Sequence, residues 1–565
     1  MKRFVALTTM LCMLLSLVAC STGTPSSSAA ASSAPAASTA AAASASVSAE
    51  ATATPPVADG PLAAYKEKIT VTVPGSVGAN VFYAAGENFE ENFVTNFYRE
   101  KLNLDYRAKW MVDPSQAAEK LNLAISTNDL PDMFEVADPV MLGKLHAAGQ
   151  IADLTQYYDQ YASPELKPIL EYQDKRGFLT STFDGKLFGL PVSNDFANNL
   201  PMLYIRKDWL STAGLAEPKT LDELINVARV FRDKGLGSKG GKGTIAMTKT
   251  FGSNGYTIKI VGNALGAFYD IWVPDGKGGL KYGSVQPEMK ETLKKLQEMY
   301  KEGLFDPEFA VKDDNKIAED VAAGKIGIYP GVFWSPLWPL AGSLDKDPKA
   351  DWIALPAMQN KDGKSIAQNT IFAYSWVVVR TGFAHPEAIY KSMNLWYEMF
   401  HGQYADKFND MLSTDKYKPT ADNWHTNAKP VFFSNPEKNL MLSANYLEAK
   451  KANDPSLLKT GEARNRWALY KAGGSQGWAH DTFLSVSEPT LKKYDGFQYN
   501  EFLGTPTETM SMRMPNLNKI EYETFAAIIM GDPIDKFDEF VNNWNAQGGA
   551  DITKEVSAWY ASVKK

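Results

Sequence analysis

Ile69, Val71 and Val73 alternate with threonine and are followed by Pro74-Gly75, a period of two that predicts a strand and its stop. Leu130 to Val136, Lys325 to Tyr329 and Tyr374 to Arg380 read as further strands, the first ending in a loop at Ala137-Asp138-Pro139. Between them the period changes to that of helices. Phe89 to Lys101 is one helix. Asp113-Pro114-Ser115-Gln116 opens another, with Asp113 capping, Pro114 in the first turn and Gln116 reaching back. Ala117, Ala118, Leu121 and Ile125 are its expected buried face. Thr220-Leu221-Asp222-Glu223 is a capping box, followed by an apolar stripe of Leu221, Leu224, Ile225 and Ala228. Lys290 to Glu302 is a helix stopped by Gly303. Two amphipathic helices close the chain, separated by Gly548-Gly549. One buries Phe537, Phe540, Val541 and Trp544, the other Ile552, Val556, Trp559 and Val563. Strands alternating with helices predict an α/β fold with largely parallel sheets.

The first sixty residues break this pattern. Lys2 and Arg3 precede an apolar run from Phe4 to Ala19, too short for a membrane anchor and suited to a secretory signal. The run ends in Leu17-Val18-Ala19-Cys20, which resembles a bacterial lipobox. Residues 1–19 are therefore expected to be a lipoprotein signal peptide, with Cys20 becoming the lipidated first residue. From Ser21 to about Gly60 the chain is almost all Ala, Ser, Thr and Pro, with nothing to bury. Residues 20–65 read as a disordered tether with a typical span of about 35 Å. Acyl chains beyond the first make such an anchor stable.

Composition narrows the chemistry. Of the 565 residues only two, Cys12 and Cys20, are cysteine, so a chain that has shed Cys12 has no internal disulfide and no thiol nucleophile. The formal charge of −7, more negative still without Lys2 and Arg3, argues against nucleic acid or an anionic bilayer surface as partner. His146, His385, His401, His425 and His480 lack the His-x-x-x-His spacing of a zinc site. Gly473-Gly474-Ser475-Gln476-Gly477 matches a nucleophile-elbow pattern, but the residues before it read as helix rather than strand. Gly241-Lys242-Gly243 lacks the Ser or Thr of a phosphate loop. No enzyme, cofactor or metal is expected, and about 500 ordered residues imply at least two lobes.

The chain resembles the extracellular solute-binding proteins of family 1, receptors of ABC importers, and within them the long Gram-positive lipoproteins of oligosaccharide uptake. The resemblance is carried by Asn128-Asp129-Leu130-Pro131-Asp132-Met133-Phe134, by Phe183 to Pro191 (FDGKLFGLP), by Leu203 to Leu210 (LYIRKDWL) and by Pro218 to Leu224. It continues in Tyr300 to Phe309 (YKEGLFDPEF), Gly531-Asp532-Pro533-Ile534, Phe537 to Phe540 and Gly548 to Glu555. It implies a two-lobed periplasmic-binding-protein-like fold over residues 66–565, with a hinge and an interlobe cleft. Lobe 1 would be roughly 66–203 plus a later segment, and lobe 2 roughly 204–373 plus a later segment. It implies a carbohydrate ligand, ABC transporter permease subunits as partners, attachment to the cell membrane by lipid alone, an extracytoplasmic location and a monomer. A surface carbohydrate-active enzyme, an adhesin and a receptor for a peptide or other polar solute are the alternatives. Where relatives carry an Asp- and Asn-rich loop suited to calcium, this chain has Arg232 to Gly243 with one carboxylate and several lysines, so no calcium is expected there. Arg206 to Trp209 is read as a structural strand-to-helix turn.

Sugars need aromatic faces beside planar polar groups, because a desolvated hydroxyl without a partner is costly. Aromatic residues are 12% of the chain and most must be core, so loop positions are the informative ones. Gly331-Val332-Phe333-Trp334-Ser335-Pro336-Leu337-Trp338 resembles the family's cleft-lining tryptophan loop. It makes Trp334 the first candidate, with Trp338 either beside it or packed beneath. Asn194 and Asp195, after Gly189-Leu190-Pro191, suit hydroxyls or a turn; Asp138 has the same two readings. Tyr374 and Trp376 are candidates whose alternative is core packing. Trp272, Trp478 and the Trp424-His425 pair complete the set.

Overall fold

The computed structural model describes residues 60–77, 83–193, 195–237, 244–248, 255–369, 373–412 and 433–564. The signal, Cys20, nearly all of the tether, Asn194, residues 238–243 of the calcium-type loop, and Trp424-His425 lie outside them.

Fourteen strands are described: β1 Ile69–Ser76, β2 Leu104–Val112, β3 Met133–Val136, β4 Thr182–Phe183, β5 Lys186–Leu187, β6 Leu190–Ser193, β7 Met202–Arg206, β8 Trp272–Pro274, β9 Leu280–Tyr282, β10 Ile328–Gly331, β11 Trp352–Leu355, β12 Ile366–Asn369, β13 Ala373–Val379 and β14 Gly496–Tyr499. Two three-stranded sheets organise the molecule, in the orders β3-β13-β6 and β10-β7-β11. Both are antiparallel about their central strand, and among the named strands parallel pairing is confined to β1–β2 and β12–β14, with isolated parallel bridges at Thr220–Gln359, Ile245–Phe305 and Ile245–Ile328. The expected largely parallel sheets are thus corrected. The central strands β7 and β13 each enter from the other half of the molecule, so they run against neighbours that belong wholly to their own half.

Side-chain parity explains why each sheet is buried on both faces. Along β13, Val377 and Val379 enter a core with Val71, Phe97, Leu190 and Val192, while Trp376 and Val378 enter another with Phe134, Leu142 and Leu145. Along β7, Leu203 and Ile205 face a core with Phe231, Leu293 and Trp544, while Met202 and Tyr204 face one with Tyr329, Trp352 and Tyr446. The result is two α/β lobes. The first draws on residues between Tyr65 and Val192 and again between Val377 and Phe433; the second on most of the remainder.

Local signals hold with some shifts. Both bonds of the capping box form, Glu223 N donating to Thr220 Oγ1 at 3.3 Å and Thr220 N to Glu223 Oε2 at 3.2 Å. Asp113 caps by accepting from Ser115 N, and the helix Ala117–Ser126 buries Ala124 with Leu121 and Ile125 beside it, leaving Ala118 exposed. The strand expected from Lys325 begins at Ile328, because Lys325 N closes the preceding helix on Asp320 O. Ser475 lies in the helix Gly474–Thr482, preceded by the helix Gly461–Ala472, so the nucleophile-elbow context of strand then helix is missing. Arg206 is buried and forks onto Asp208, with Asp347 at 3.0 Å and the Trp209 ring 4.9 Å away, which makes the Arg206–Trp209 turn structural.

Residues 60–65, placed by the sequence at the end of the tether, pack on lobe 1. Buried Lys391 donates to the carbonyls of Gly60 and Ala63, Asn394 Nδ2 to that of Pro61 at 3.1 Å, and the Tyr65 hydroxyl to Glu387 at 2.9 Å. Tyr65 supplies the apolar anchor that the Ala/Ser/Thr/Pro run lacks.

Candidate functional site

Register and connectivity bring one edge of each sheet to the crossings between the lobes. In lobe 2, Gly331 pairs with Met202 and Leu355 with Leu203, so the end of β10, the start of β7 and the end of β11 share an edge. In lobe 1, Ala373 pairs with Ser193 and Val136 with Trp376, which gathers the ends of β6 and β3 and the start of β13. Ser193 leads through residues 194–201 into Met202, and β12 leads into β13. The connecting segments therefore join these two edges.

The lobe 2 edge carries the tryptophans. Val332 N donates to Ser335 Oγ at 3.0 Å, and the Tyr204 hydroxyl donates to Val332 O at 2.8 Å from beneath. A Cβ on Gly331 would sit 2.4 Å from Ser335 Oγ and 2.6 Å from the Tyr329 ring, so only glycine fits this turn. The pinned loop presents Trp334 and Trp338 with ring centroids 6.5 Å apart and planes 24° apart. Trp338 is 40% exposed, while Trp334 is half-buried against the core beneath. The helix Gly474–Thr482 packs on this loop and brings half-buried Trp478 to the same core.

The lobe 1 edge and the crossing carry acids and a tyrosine. Asp138 is exposed and caps the helix Pro139–Ala147, its Oδ1 accepting from Val140 N at 2.9 Å. Asp195 clasps the first crossing. Its Oδ1 accepts from Ala197 N at 3.0 Å and its Oδ2 from Asn439 N at 3.1 Å, at the start of the helix Lys438–Ala452. Burial, only partly offset by those two bonds, raises its carboxyl to about 6. Beneath it lies Glu488, 1% exposed, with neither oxygen hydrogen-bonded among the described residues. Burial and then the charge of Asp195 push Glu488 up to about 8, against the opposing pull of Lys492. Tyr374 stands 37% exposed at the start of β13, and burial and the nearby Glu135 hold its hydroxyl well above the usual phenol range.

Two expected residues stand apart. Trp272 is 4% exposed in β8, against Tyr282 in the lobe 2 core. Trp376 is 4% exposed, and its Nε1 donates to Thr180 Oγ1 at 2.7 Å. Both indoles spend their faces on core neighbours. A group not singled out by the sequence lies at the crossing instead: Tyr172, Arg176, Phe196, Phe497 and Tyr499. Only Phe196, adjacent to Asp195, had a sequence neighbour to mark it.

Among the described residues no cluster of His, Cys, Asp and Glu could hold a metal ion, and no helix is long and apolar enough to cross a membrane.

Two α/β lobes joined by crossing segments, with loop edges gathered at the crossings, are an architecture able to close on a solute. The chain belongs to the bacterial extracellular solute-binding proteins, whose family model matches residues 79–418, more than half of it. It is 23% identical over 485 residues to the polygalacturonan/rhamnogalacturonan-binding protein of Bacillus subtilis (strain 168), covering 82% of this chain and 87% of that one. It is 29% identical over 231 residues to the fructooligosaccharide ABC transporter substrate-binding protein of Streptococcus pneumoniae, covering 39% of this chain and 43% of the other. The HMO-binding, ABC-transporter-associated solute-binding protein of Bifidobacterium longum infantis shares the fold at a TM-score of 0.61 and 15% identity, over 87% of this chain and 98% of that one.

Proposed function

We propose that this chain is the substrate-binding lipoprotein of an ABC importer, holding an oligosaccharide between its lobes and handing it intact to the permease. The observation that carries this reading is the Trp334–Trp338 platform, presented by a loop that Tyr204 and Ser335 pin in place. Stacked indoles suit the C–H faces of sugar rings, and Asp138, Asp195 and Tyr374 on the other edge offer polar partners for hydroxyls. Asn194, next in sequence to Asp195, is proposed for the same polar role, and Trp478 extends the aromatic side. Trp272 and Trp376 are assigned to the cores. The carbohydrate-binding descriptions of the relatives support a sugar over a peptide.

The mechanism is closure. A ligand touching both edges stabilises the closed arrangement by its differential contacts and nothing more. No bond of the ligand is broken. Cys20, carrying diacylglycerol and palmitate, holds the protein at the outer face of the cell membrane as a monomer, and the tether gives the lobes reach toward solute and permease. A thermal-shift screen against oligosaccharides, followed by calorimetry and recovery of the ligand, tests this. The expected result is a saturable shift with unaltered sugar. Hydrolysed sugar, abolished by replacing one carboxylate, would replace the receptor reading with an enzyme. Loss of radiolabelled palmitate in Cys20→Ala checks the anchor.

A further inference from the structure

The helix Tyr172–Leu179 belongs to lobe 1: Phe178 packs on its core, and Gly177 approaches the Pro191 ring of β6 so closely that an added Cβ would lie 3.1 Å from it. The segment after β14 belongs to lobe 2. Glu501 N donates to Trp272 O at 2.9 Å, Trp272 N to Asn500 Oδ1 at 3.0 Å, and Phe502 enters the lobe 2 core. Arg176 spans the two. Its Nη2 donates to Asn500 O at 3.0 Å and lies 3.3 Å from Glu501 Oε2, and its guanidinium sits 5.2 Å over the Tyr499 ring.

Four residues earlier on the same helix, Tyr172 meets Phe196 of the first crossing at 6.2 Å, and Phe196 meets Phe497 of β14 edge-on at 5.0 Å. Phe497 neighbours Tyr499, which closes a circuit running from lobe 1 through the crossing to lobe 2 and back. A second, independent feature lies in the backbone. Lys175, a non-glycine inside this helix, takes φ 62 and pairs with Glu171 at 2.9 Å. A left-handed lysine persists only where its surroundings hold it, and such strain concentrates at switch segments. Arg176 is the residue that follows Lys175.

We propose that Arg176 is a positioning residue for ligand capture, a latch that holds the lobes at the separation the cleft requires. A charge-assisted contact is stronger than a neutral one, and this one, about one-fifth exposed, still weakens as salt is added. It restrains opening without occupying the place of the ligand. Lobe rotation about the crossings must break or rebuild it, so it sets the starting point from which binding closes the cleft. The proposal rests on reading the gap between the lobes as the ligand site, but its test needs no ligand, so a failed sugar screen leaves the result standing.

Small-angle scattering of the full mature chain, without ligand, is the measurement. Arg176→Ala is expected to raise the radius of gyration beyond replicate error while the circular dichroism spectrum stays that of the wild type. Glu501→Gln gives a smaller rise in the same direction. Added salt should open the wild-type protein and leave Arg176→Ala unmoved, a response that a merely structural arginine does not show. If Arg176→Ala does not fold, Glu501→Gln and Tyr499→Leu carry the same test. Wild-type scattering and an unchanged salt response in the variants that fold would overturn the latch.

Discussion

The two sheet edges joined by the crossings are built alike and equipped differently. Each comes from a three-stranded antiparallel sheet buried on both faces, with a central strand that enters from the other lobe. The lobe 2 edge turns at Gly331 into a pinned loop with two near-parallel indoles. The lobe 1 edge ends in a capping aspartate, a clasping aspartate and an exposed tyrosine. The contrast separates two jobs of sugar binding. Apolar faces need a rigid platform, because only a fixed ring keeps its area available for stacking. Hydroxyl partners can double as caps, because a carboxylate has lone pairs to spare after satisfying one N–H.

The comparison breaks first where an aromatic residue lies behind an edge rather than on it. Trp376→Ala should destabilise the protein by about 3–5 kcal/mol, by opening a cavity in the lobe 1 core and leaving Thr180 without its donor. Chemical denaturation measures this. A loss below about 1 kcal/mol would mean that Trp376 is not a core residue.

The second effect depends on pH. Glu488 follows Ser487, whose Oγ is 3.0 Å from the Tyr204 hydroxyl that pins Val332. Its folded value of about 8 stands above the ordinary 4.5, so the folded state holds a proton that the unfolded chain has released. That contribution to stability is complete below pH 4.5 and is lost as pH rises through 8, with a slope of at most about 1.4 kcal/mol per pH unit. Asp195, the other acid facing it, shifts in the same direction from 3.8 to about 6, while Lys492 opposes the shift at Glu488. Glu488→Gln mimics the protonated form. It should match the wild type at pH 5 and exceed it at pH 8 in thermal melts. Parallel pH profiles for the two proteins would remove Glu488 from this role.

Third comes Trp334 itself. Trp334→Ala should weaken oligosaccharide binding by about 1–3 kcal/mol, read by calorimetry. Trp338→Ala tests whether the more exposed ring shares the stack. If neither substitution changes affinity while Trp478→Ala does, the aromatic side of the site moves to the helix Gly474–Thr482.

Much of this was legible in the chain, and the reasons differ by element. Thr220-Leu221-Asp222-Glu223 announced its helix because a capping box is a local code, and both of its bonds form. The Gly331–Trp338 loop was legible because a strand runs into glycine and then into closely spaced indoles. Sheet direction was not, since β13 and its partners β3 and β6 lie far apart in sequence, and no local pattern says which way a distant partner runs. Trp272 and Trp376 drew attention as tryptophans near polar residues, yet burial is decided by strand parity and by what packs above. Arg176 carried no signal, because its partners Tyr499, Asn500 and Glu501 lie more than 300 positions away.

The smallest expected effect is at Asp138, which caps a helix and is proposed as a partner for a sugar hydroxyl. Its Oδ1 accepts from Val140 N at 2.9 Å, and the carboxylate remains exposed at the head of the helix Pro139–Ala147. Asp138→Ala removes the cap and should cost about 1 kcal/mol of stability. Asp138→Asn keeps an acceptor for Val140 N and should cost a few tenths. If the aspartate also takes a sugar hydroxyl, affinity falls in the alanine variant by less than in Trp334→Ala and is partly kept by asparagine, whose amide can still donate or accept. Equal affinity in all three proteins, with the stability loss intact, would make Asp138 a cap alone and leave the polar side of the site to Asp195 and Tyr374.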